Sequence, residues 1–183
     1  MRSLLELQSA RIKDDAVLDM LLDSQNRITS MALVHETLCQ SRNLARVDFG
    51  NFLDSLVPSL VASYGVCPEN ISVDIDAVGM LLPVDAAIPC GLVVNELITN
   101  ALKHAFPEDQ PGEIRIALAH VSNGEVVLSV SDNGVGMPEV FDLHKAGSLG
   151  LQLVNLLIDQ LGGKVTINRS KPTRFMLRFP LQQ

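Results

Sequence analysis

The stretch that decides the fold is residues 91–106, GLVVNELITNALKHAF. On an α-helix each residue advances about 100°, so this stretch separates into two faces. One face is apolar: Leu97, Ile98, Ala101, Leu102 and Ala105. The other holds a carboxylate, amides, a hydroxyl and an ammonium, with a histidine at its edge: Asn95, Glu96, Thr99, Asn100, Lys103 and His104. The sequence therefore predicts a helix with a chemically specialised polar face.

The spacing of the polar residues brings them together on the helix surface. Glu96 and Asn100 are four residues apart, and Asn100 and Lys103 are three apart, so each pair lies on neighbouring turns. Carboxylate and amide oxygens suit Mg²⁺, and a lysine ammonium neutralises phosphate charge. The pattern indicates a site for a magnesium-bound polyphosphate. On this stretch alone, an ordinary amphipathic surface helix remains the alternative.

Two glycine-containing segments follow further along the chain. The first is residues 131–138, SDNGVGMP, directly after the alternating residues 125–130. The second is residues 147–151, GSLGL, which opens an apolar-periodic helix. Glycine lets a ligand approach the backbone, and N–H groups at a helix start favour anions. One glycine pair is typical of a turn, but the polar helix and both segments in this order are much more specific.

These motifs resemble those of a known superfamily. Residues 95–104 (NELITNALKH) resemble the N box of the GHKL ATPases, residues 132–136 (DNGVG) their first glycine box, and residues 147–151 their second. Residues 3–8 (SLLELQ) and 25–40 (QNRITSMALVHETLCQ) resemble the dimerisation segment of the HisKA_2 subfamily of histidine kinases. The resemblance covers nearly the whole chain and implies ATP and Mg²⁺ as cofactors.

The resemblance and the chemistry together assign roles around the phosphates. Asn100 is expected to bind Mg²⁺, and Glu96 to hold a water or another group that surrounds the metal. Lys103 and His104 are expected to reach phosphate oxygens. We predict that Glu96, Asn100 and Lys103 are the catalytic residues. For Asn95, also expected at the nucleotide, a hydrogen bond from the helix to the backbone is the alternative.

The same resemblance assigns the adenine end. Asp132 is expected to accept a hydrogen bond from the adenine amino group, and Thr173 to lie near adenine. The glycine that usually precedes this threonine is absent, since Pro172 stands there. The remaining predicted contacts to nucleotide come from the two glycine boxes: Gly134, Gly136, Met137, Gly147, Ser148, Leu149, Gly150 and Leu151.

The fold implied is an α/β sandwich of the GHKL (Bergerat) type, with helices on one face of a mixed, mostly antiparallel sheet. We expect a helical segment, residues 1–44, and an ATP-binding domain, residues 45–183. Within the domain we expect a strand near Val47 and a helix over 51–64, kinked or starting late at Pro58. The other expected strands are 71–77, 81–84, 113–120, 125–131, 164–168 and 174–179. The other expected helices begin at Asp85 and Leu149, and residues 133–147 form a loop able to act as a lid.

The first segment reads as a helical hairpin. Residues 2–13 are expected to be helical, and Asp14 or Asp15 caps a second helix that runs to about Ser41. Apolar and neutral positions recur there by threes and fours, as in a coiled-coil seam: Leu18, Leu21, Gln25, Ile28, Ala32, His35 and Cys39. A hairpin buries little alone, so we expect a homodimer through a four-helix bundle.

The expected reaction is phosphoryl transfer from Mg–ATP to a histidine, then to an aspartate of a response-regulator receiver domain. His35 precedes Glu36, which imitates a phosphoacceptor, but no proline follows shortly, and His35 lies on the seam. We therefore expect a packed His35. In the resembled subfamily the acceptor lies before the SLLELQ stretch, so it is expected upstream of Met1, with a sensor domain. The alternatives are an anti-sigma-type serine kinase and a non-kinase ATP-binding regulatory module.

Composition limits the other possibilities. Lysine and arginine total 14 and aspartate and glutamate 21, a net charge of −7, which argues against a nucleic-acid surface. The three cysteines share no CxxC spacing, so we expect buried thiols rather than a zinc or redox pair. No run reaches the ~18 uncharged apolar residues of a membrane span. We expect a cytoplasmic chain without membrane contact.

Overall fold

The computed structural model describes residues 14–40, 46–64, 70–107, 110–121, 124–137 and 149–181. Within these ranges the chain forms four helices: α1 (Asp15–Gln40), α2 (Phe49–Ser63), α3 (Val84–His104) and α4 (Leu149–Gln160). The strands in the same ranges are β1 (Arg46–Asp48), β2 (Ile71–Asp76), β3 (Leu81–Pro83), β4 (Gly112–His120), β5 (Glu125–Asp132), β6 (Lys164–Asn168) and β7 (Thr173–Pro180).

The main sheet has five strands in the order β2-β4-β5-β7-β6. Strand β2 runs parallel to β4, and the other neighbours pair antiparallel. Strands β1 and β3 form a separate antiparallel pair. The prediction of a mixed, mostly antiparallel sheet is confirmed.

Alternation along the strands explains why helices cover one face of this sheet. In β7 the side chains of Phe175, Leu177 and Phe179 are buried, while Arg174 and Arg178 are exposed. Because successive strand residues point to opposite faces, the apolar side chains line one face. They join one core with buried side chains of α2, α3 and α4. The predicted sandwich with helices on one face is confirmed.

Helix α2 differs from the prediction at its start. It begins at Phe49, where the Asp48 carboxylate accepts a hydrogen bond from the Asn51 N–H at 3.1 Å, and it continues through Pro58 to Ser63. Of the two expectations at Pro58, a kink or a late start, the late start was wrong. Proline removes the hydrogen bond to the carbonyl four residues earlier, but Pro58 is exposed, on the face where water can replace that bond.

Helix α1 is confirmed as the long helix of the first segment, and it packs against α3. Of its apolar side chains, Val17, Met20 and Ile28 are exposed, Met20 by 63%. The expected helix over residues 2–13 lies outside the described residues, as do the side chains of His35 and Cys39. The dimer and the boundary near residue 44 stay predictions.

Two further expectations concern burial and membranes. Cys90 is fully buried in α3, and burial raises the pKa of its thiol. Cys67 lies outside the described residues. Among the helices of the described ranges, none combines the length and apolar character needed to cross a bilayer.

Candidate functional site

A cavity of about 400 Å³ lies between the C-terminal half of α3 and the ends of β5 and β7. Its walls are largely apolar, with a few polar groups at fixed positions. The lining residues are Leu97, Asn100, Ala101, His104, Ala105, Val130, Ser131, Asp132, Gly136, Met137, Leu151, Thr173 and Phe175. This size and this mixture are typical of a small-molecule site.

Asp132 lies at the end of β5, where the strand meets the cavity. Its Oδ1 accepts a hydrogen bond from the Gly134 N–H at 3.0 Å, and a second bond comes from the side chain of Thr173. Burial raises the pKa of Asp132, and these two hydrogen bonds partly offset that rise. The carboxylate is therefore a half-buried acceptor held in a fixed position.

The first glycine segment is docked tightly on the end of α3. The Val135 N–H donates to the Ala105 carbonyl at 2.9 Å, and a Cβ added at Gly134 would lie 2.2 Å from that same oxygen. Only glycine fits there. On the other side, the Met137 N–H donates to the carbonyl of Arg169 at 3.1 Å. The segment is thus fixed between α3 and the turn that joins β6 to β7.

Asn100 projects into the cavity from α3. Its side-chain amide nitrogen is buried and has no hydrogen-bond partner in the described part of the chain. Buried polar groups are normally paired, so this N–H donor is available to an acceptor on a ligand. The oxygen of the same amide is the kind of atom that Mg²⁺ accepts. No cluster of three or more His, Cys, Asp or Glu side chains in the described ranges is arranged to hold a metal. The donors present fit a metal held by one side chain and a bound polyphosphate.

The start of α4 closes the site from a second direction. A Cβ added at Gly150 would lie 2.4 Å from Oε2 of Glu96, so this glycine allows α4 to approach α3. Leu151 is buried and lines the cavity, whereas Leu149 is exposed. Gly147 and Ser148 lie outside the described residues, as does most of the expected lid.

Glu96 and Lys103 are not in the cavity wall, in contrast to Asn100 and His104. Arg27 of α1 donates to the two carboxylate oxygens of Glu96, from Nε at 2.5 Å and from Nη2 at 2.7 Å. The Lys103 Nζ lies 2.7 Å from Oδ1 of Asp23. The part of the predicted polar face that carries Glu96 and Lys103 is therefore covered by α1, and Glu96 is only 4% exposed.

The neighbours of these two groups complete the arrangement. Asn95 is buried and donates from Nδ2 to Oε1 of Glu96 at 3.2 Å. The Tyr64 hydroxyl donates to Asp23 at 2.7 Å, and the Lys103 ammonium lies 5.5 Å from the Tyr64 ring centroid. Burial raises the pKa of Tyr64 to about 12, so the phenol remains a donor at neutral pH.

Asp23, Arg27 and Tyr64 were not predicted as site residues from the sequence. The first two are four residues apart on α1, a spacing found on most solvent-exposed helices, so the sequence offers no sign of their partners on α3. The apolar wall residues Val130 and Phe175 were not predicted either, because they are ordinary strand residues until the register of β5 and β7 is known.

Two family models match the chain. Residues 1–64 match HisKA_2, a histidine kinase family. Residues 86–183 match HATPase_c, the histidine kinase-, DNA gyrase B- and HSP90-like ATPases. The second match covers more than half of the chain and contains α3 from Ala86 onward, the cavity and both glycine segments.

Relatives and solved structures agree with these matches. The sensor histidine kinase PdtaS of Mycobacterium tuberculosis is 33% identical over 185 aligned residues, covering 98% of this chain and 36% of the relative. Blue-light-activated histidine kinase 2 of Erythrobacter litoralis is 34% identical over 99 residues, 54% of this chain and 29% of the relative. The chain thus spans about a third of the length of these curated relatives.

Among solved structures, the histidine kinase domain of the Erythrobacter litoralis EL346 blue-light activated histidine kinase superposes with a TM-score of 0.76 at 25% identity. That match covers 97% of this chain and 93% of the solved chain. The order of the motifs, the cavity that they surround and both family matches lead to one assignment: the chain belongs to the histidine kinase-, DNA gyrase B- and HSP90-like ATPases, and among them to the HisKA_2-type histidine kinases.

Proposed function

We propose that this chain is the catalytic core of a sensor histidine kinase, which binds Mg–ATP in the cavity between α3 and the sheet. The observation that carries the proposal is the position of Asp132, a desolvated carboxylate fixed at the cavity wall by Gly134 and Thr173. A half-buried acceptor of this kind selects adenine by its 6-amino group, because guanine presents a carbonyl oxygen at that position and leaves the carboxylate unpaired.

The adenine end of the site follows from the lining residues. Asp132 accepts from the adenine amino group, and Thr173 orients the carboxylate. Leu97 and Phe175 supply apolar surface on opposite sides of the cavity, from α3 and β7. The fixed first glycine segment, with Gly136 at φ +89°, brings backbone close to the base.

The phosphate end lies toward Asn100, His104 and the start of α4. Asn100 would hold Mg²⁺ through its amide oxygen, and His104 and the backbone near Gly150 would meet phosphate oxygens. When bound, the metal neutralises charge on the transferred phosphoryl group. Glu96 and Lys103 keep their proposed roles, at a metal-bound water and at phosphate, once they leave Arg27 and Asp23.

The proposed transfer makes modest demands on the protein. A neutral imidazole is already a nucleophile near pH 7, so the site must position the phosphoryl group and stabilise its charge rather than supply a strong base.

We assign nucleotide binding to residues 45–183 and dimerisation to residues 1–44. A receiver-domain aspartate is the proposed final acceptor, and the cytoplasm, which supplies ATP, is the proposed location.

The direct test is titration calorimetry with three ligands: Mg–ATP, Mg–GTP, and ATP with a chelator. We expect saturable binding of Mg–ATP, at least tenfold weaker binding of Mg–GTP, and weaker binding without magnesium. Asn100→Ala should remove the dependence on magnesium. Arg178→Gln, on the exposed face of β7, is the control and should bind like the parent. Equal affinity for Mg–ATP and Mg–GTP would contradict the assignment of Asp132.

A further inference from the structure

The contact between α1 and α3 rests on two ion pairs. Arg27 binds both carboxylate oxygens of Glu96, and Asp23 binds the ammonium of Lys103 at 2.7 Å. Tyr64, at the end of α2, donates to the same oxygen of Asp23 at 2.7 Å. Each charged group of α3 in this contact therefore has an oppositely charged partner on α1.

The two pairs differ in their shielding from water, since the side chains of Lys103 and Asp23 are 20% and 25% exposed. The Arg27 side chain is 14% exposed and that of Glu96 4% exposed. The Arg27–Glu96 pair has the two-bond geometry that makes arginine–carboxylate contacts strong and directional, and the hydrogen bond to Glu96 raises the pKa of Arg27. Removing one partner of such a pair leaves a poorly solvated charge. Glu96 and Lys103 are therefore expected to leave Arg27 and Asp23 only for other charged or polar partners.

The spacing of the four residues favours a single register of α1 along α3. Asp23 and Arg27 are four residues apart on α1, while Glu96 and Lys103 are seven apart on α3. Both spacings are close to whole turns of a helix, so each helix presents its two charges along one stripe. A shift of α1 by one turn would separate both pairs together.

We propose that Asp23 and Arg27 are positioning residues that form an electrostatic latch: in the nucleotide-free chain they hold Glu96 and Lys103 away from the nucleotide, and they release them when Mg–ATP binds. This inference rests on the proposed function. The metal-bound water and the phosphates compete with Arg27 and Asp23 for the same carboxylate and the same ammonium. Nucleotide binding and release of α1 are therefore coupled, and the coupling acts equally in both directions.

Removing the charges of Asp23 and Arg27 disables the latch, so the affinity of the chain for nucleotide should rise. The double variant Asp23→Asn/Arg27→Gln should bind Mg–ATP at least tenfold more tightly than the parent, and Asp23→Asn alone at least threefold. A residue that only supported the fold would weaken binding when replaced. Arg178→Gln, which removes an exposed arginine 3.6 Å from Glu125, is the matched control and should leave affinity unchanged.

Hydrogen exchange measured by mass spectrometry supplies a second readout on the unmodified chain. Saturating Mg–ATP should increase exchange in residues 15–40, and in the double variant those residues should exchange fast with or without nucleotide. If circular dichroism shows that the double variant is unfolded, Asp23→Asn alone decides the matter. Mg–ATP binding with unchanged affinity in the variants and unchanged exchange in α1 overturns the latch. Absence of Mg–ATP binding to the parent overturns the proposed function itself.

Discussion

Thr173 is the register partner of Asp132 across β7 and β5, and its side chain hydrogen-bonds to the Asp132 carboxylate. The contact joins two strands that are about forty residues apart in sequence. It holds the carboxylate in one orientation at the cavity wall. The pKa of Asp132 therefore depends on its burial there and on its hydrogen bonds to Gly134 and Thr173.

The first prediction concerns pH. Because burial raises the pKa of Asp132, this group takes up a proton on acidification before an ordinary aspartate does. A protonated carboxyl is a weaker acceptor, so Mg–ADP affinity should fall as pH decreases through the raised pKa. In Asp132→Asn this pH-dependent loss of Mg–ADP affinity should be absent. Titration of parent and variant over the same pH range cancels the ionisation of the nucleotide, and parallel curves would count against the prediction.

The same shift has a consequence for folding stability. The folded state binds its proton more tightly than the unfolded chain, so the contribution of Asp132 to stability is largest below the ordinary pKa and is lost as pH rises through the raised one. Asp132→Asn should therefore not destabilise the chain at neutral pH, which urea unfolding at pH 7 can check.

The second prediction concerns the first glycine segment. Gly134→Ala should destabilise the chain by about 1–3 kcal/mol, because its Cβ would meet the Ala105 carbonyl, which cannot move without disturbing the end of α3. It should also weaken Mg–ATP binding. Gly162→Ala is a suitable control: its φ of +62° is unfavourable for alanine, but no atom lies within 4 Å. Equal loss of binding in both variants would argue against a local effect.

The third prediction concerns assembly. Light scattering should give twice the 19.8 kDa chain mass, because α1 carries a coiled-coil pattern in which Ile28 is an exposed apolar seam residue. Ile28→Lys, at a position that is 41% exposed, should yield a monomer. Leu156→Lys, at a 66% exposed position on α4, should remain a dimer. A monomeric parent would contradict the bundle.

The fourth prediction is that His35 is not the phosphoacceptor. His35 occupies a predicted seam position, whereas in-line transfer requires an acceptor nitrogen about 3–3.5 Å from phosphorus. Incubation of this chain with γ-labelled ATP and magnesium should give no acid-labile, base-stable label. Such a label, present in the parent and absent in His35→Ala, would make His35 the acceptor.

Local patterns were enough to predict much of the fold. Strict alternation of residues predicted the sheet strands β4, β5 and β7, and the two-faced pattern of residues 91–106 predicted α3. Both patterns depend only on residues that are close together in sequence. The register of β5 and β7 places Thr173 beside Asp132 although Pro172 precedes it; its place near adenine stays a prediction.

Long-range electrostatic contacts could not be predicted in the same way. The sequence suggested that Glu96 and Lys103 face a ligand, and their binding to Arg27 and Asp23 emerged only from the packing of α1 on α3. Likewise, α2 accommodates Pro58 because this residue lies on the solvent-exposed side of the helix. Rules based on sequence alone treat such a proline as a helix break.

Titration of Mg–ATP into the parent and into Asp132→Asn by calorimetry, with circular dichroism to verify the fold, tests whether Asp132 recognises adenine. The variant should bind at least tenfold more weakly, about 1.4 kcal/mol, with an unchanged spectrum, while Arg178→Gln should bind like the parent. Equal affinity of Asp132→Asn and the parent for Mg–ATP would contradict the claim that this cavity binds the adenine ring through Asp132.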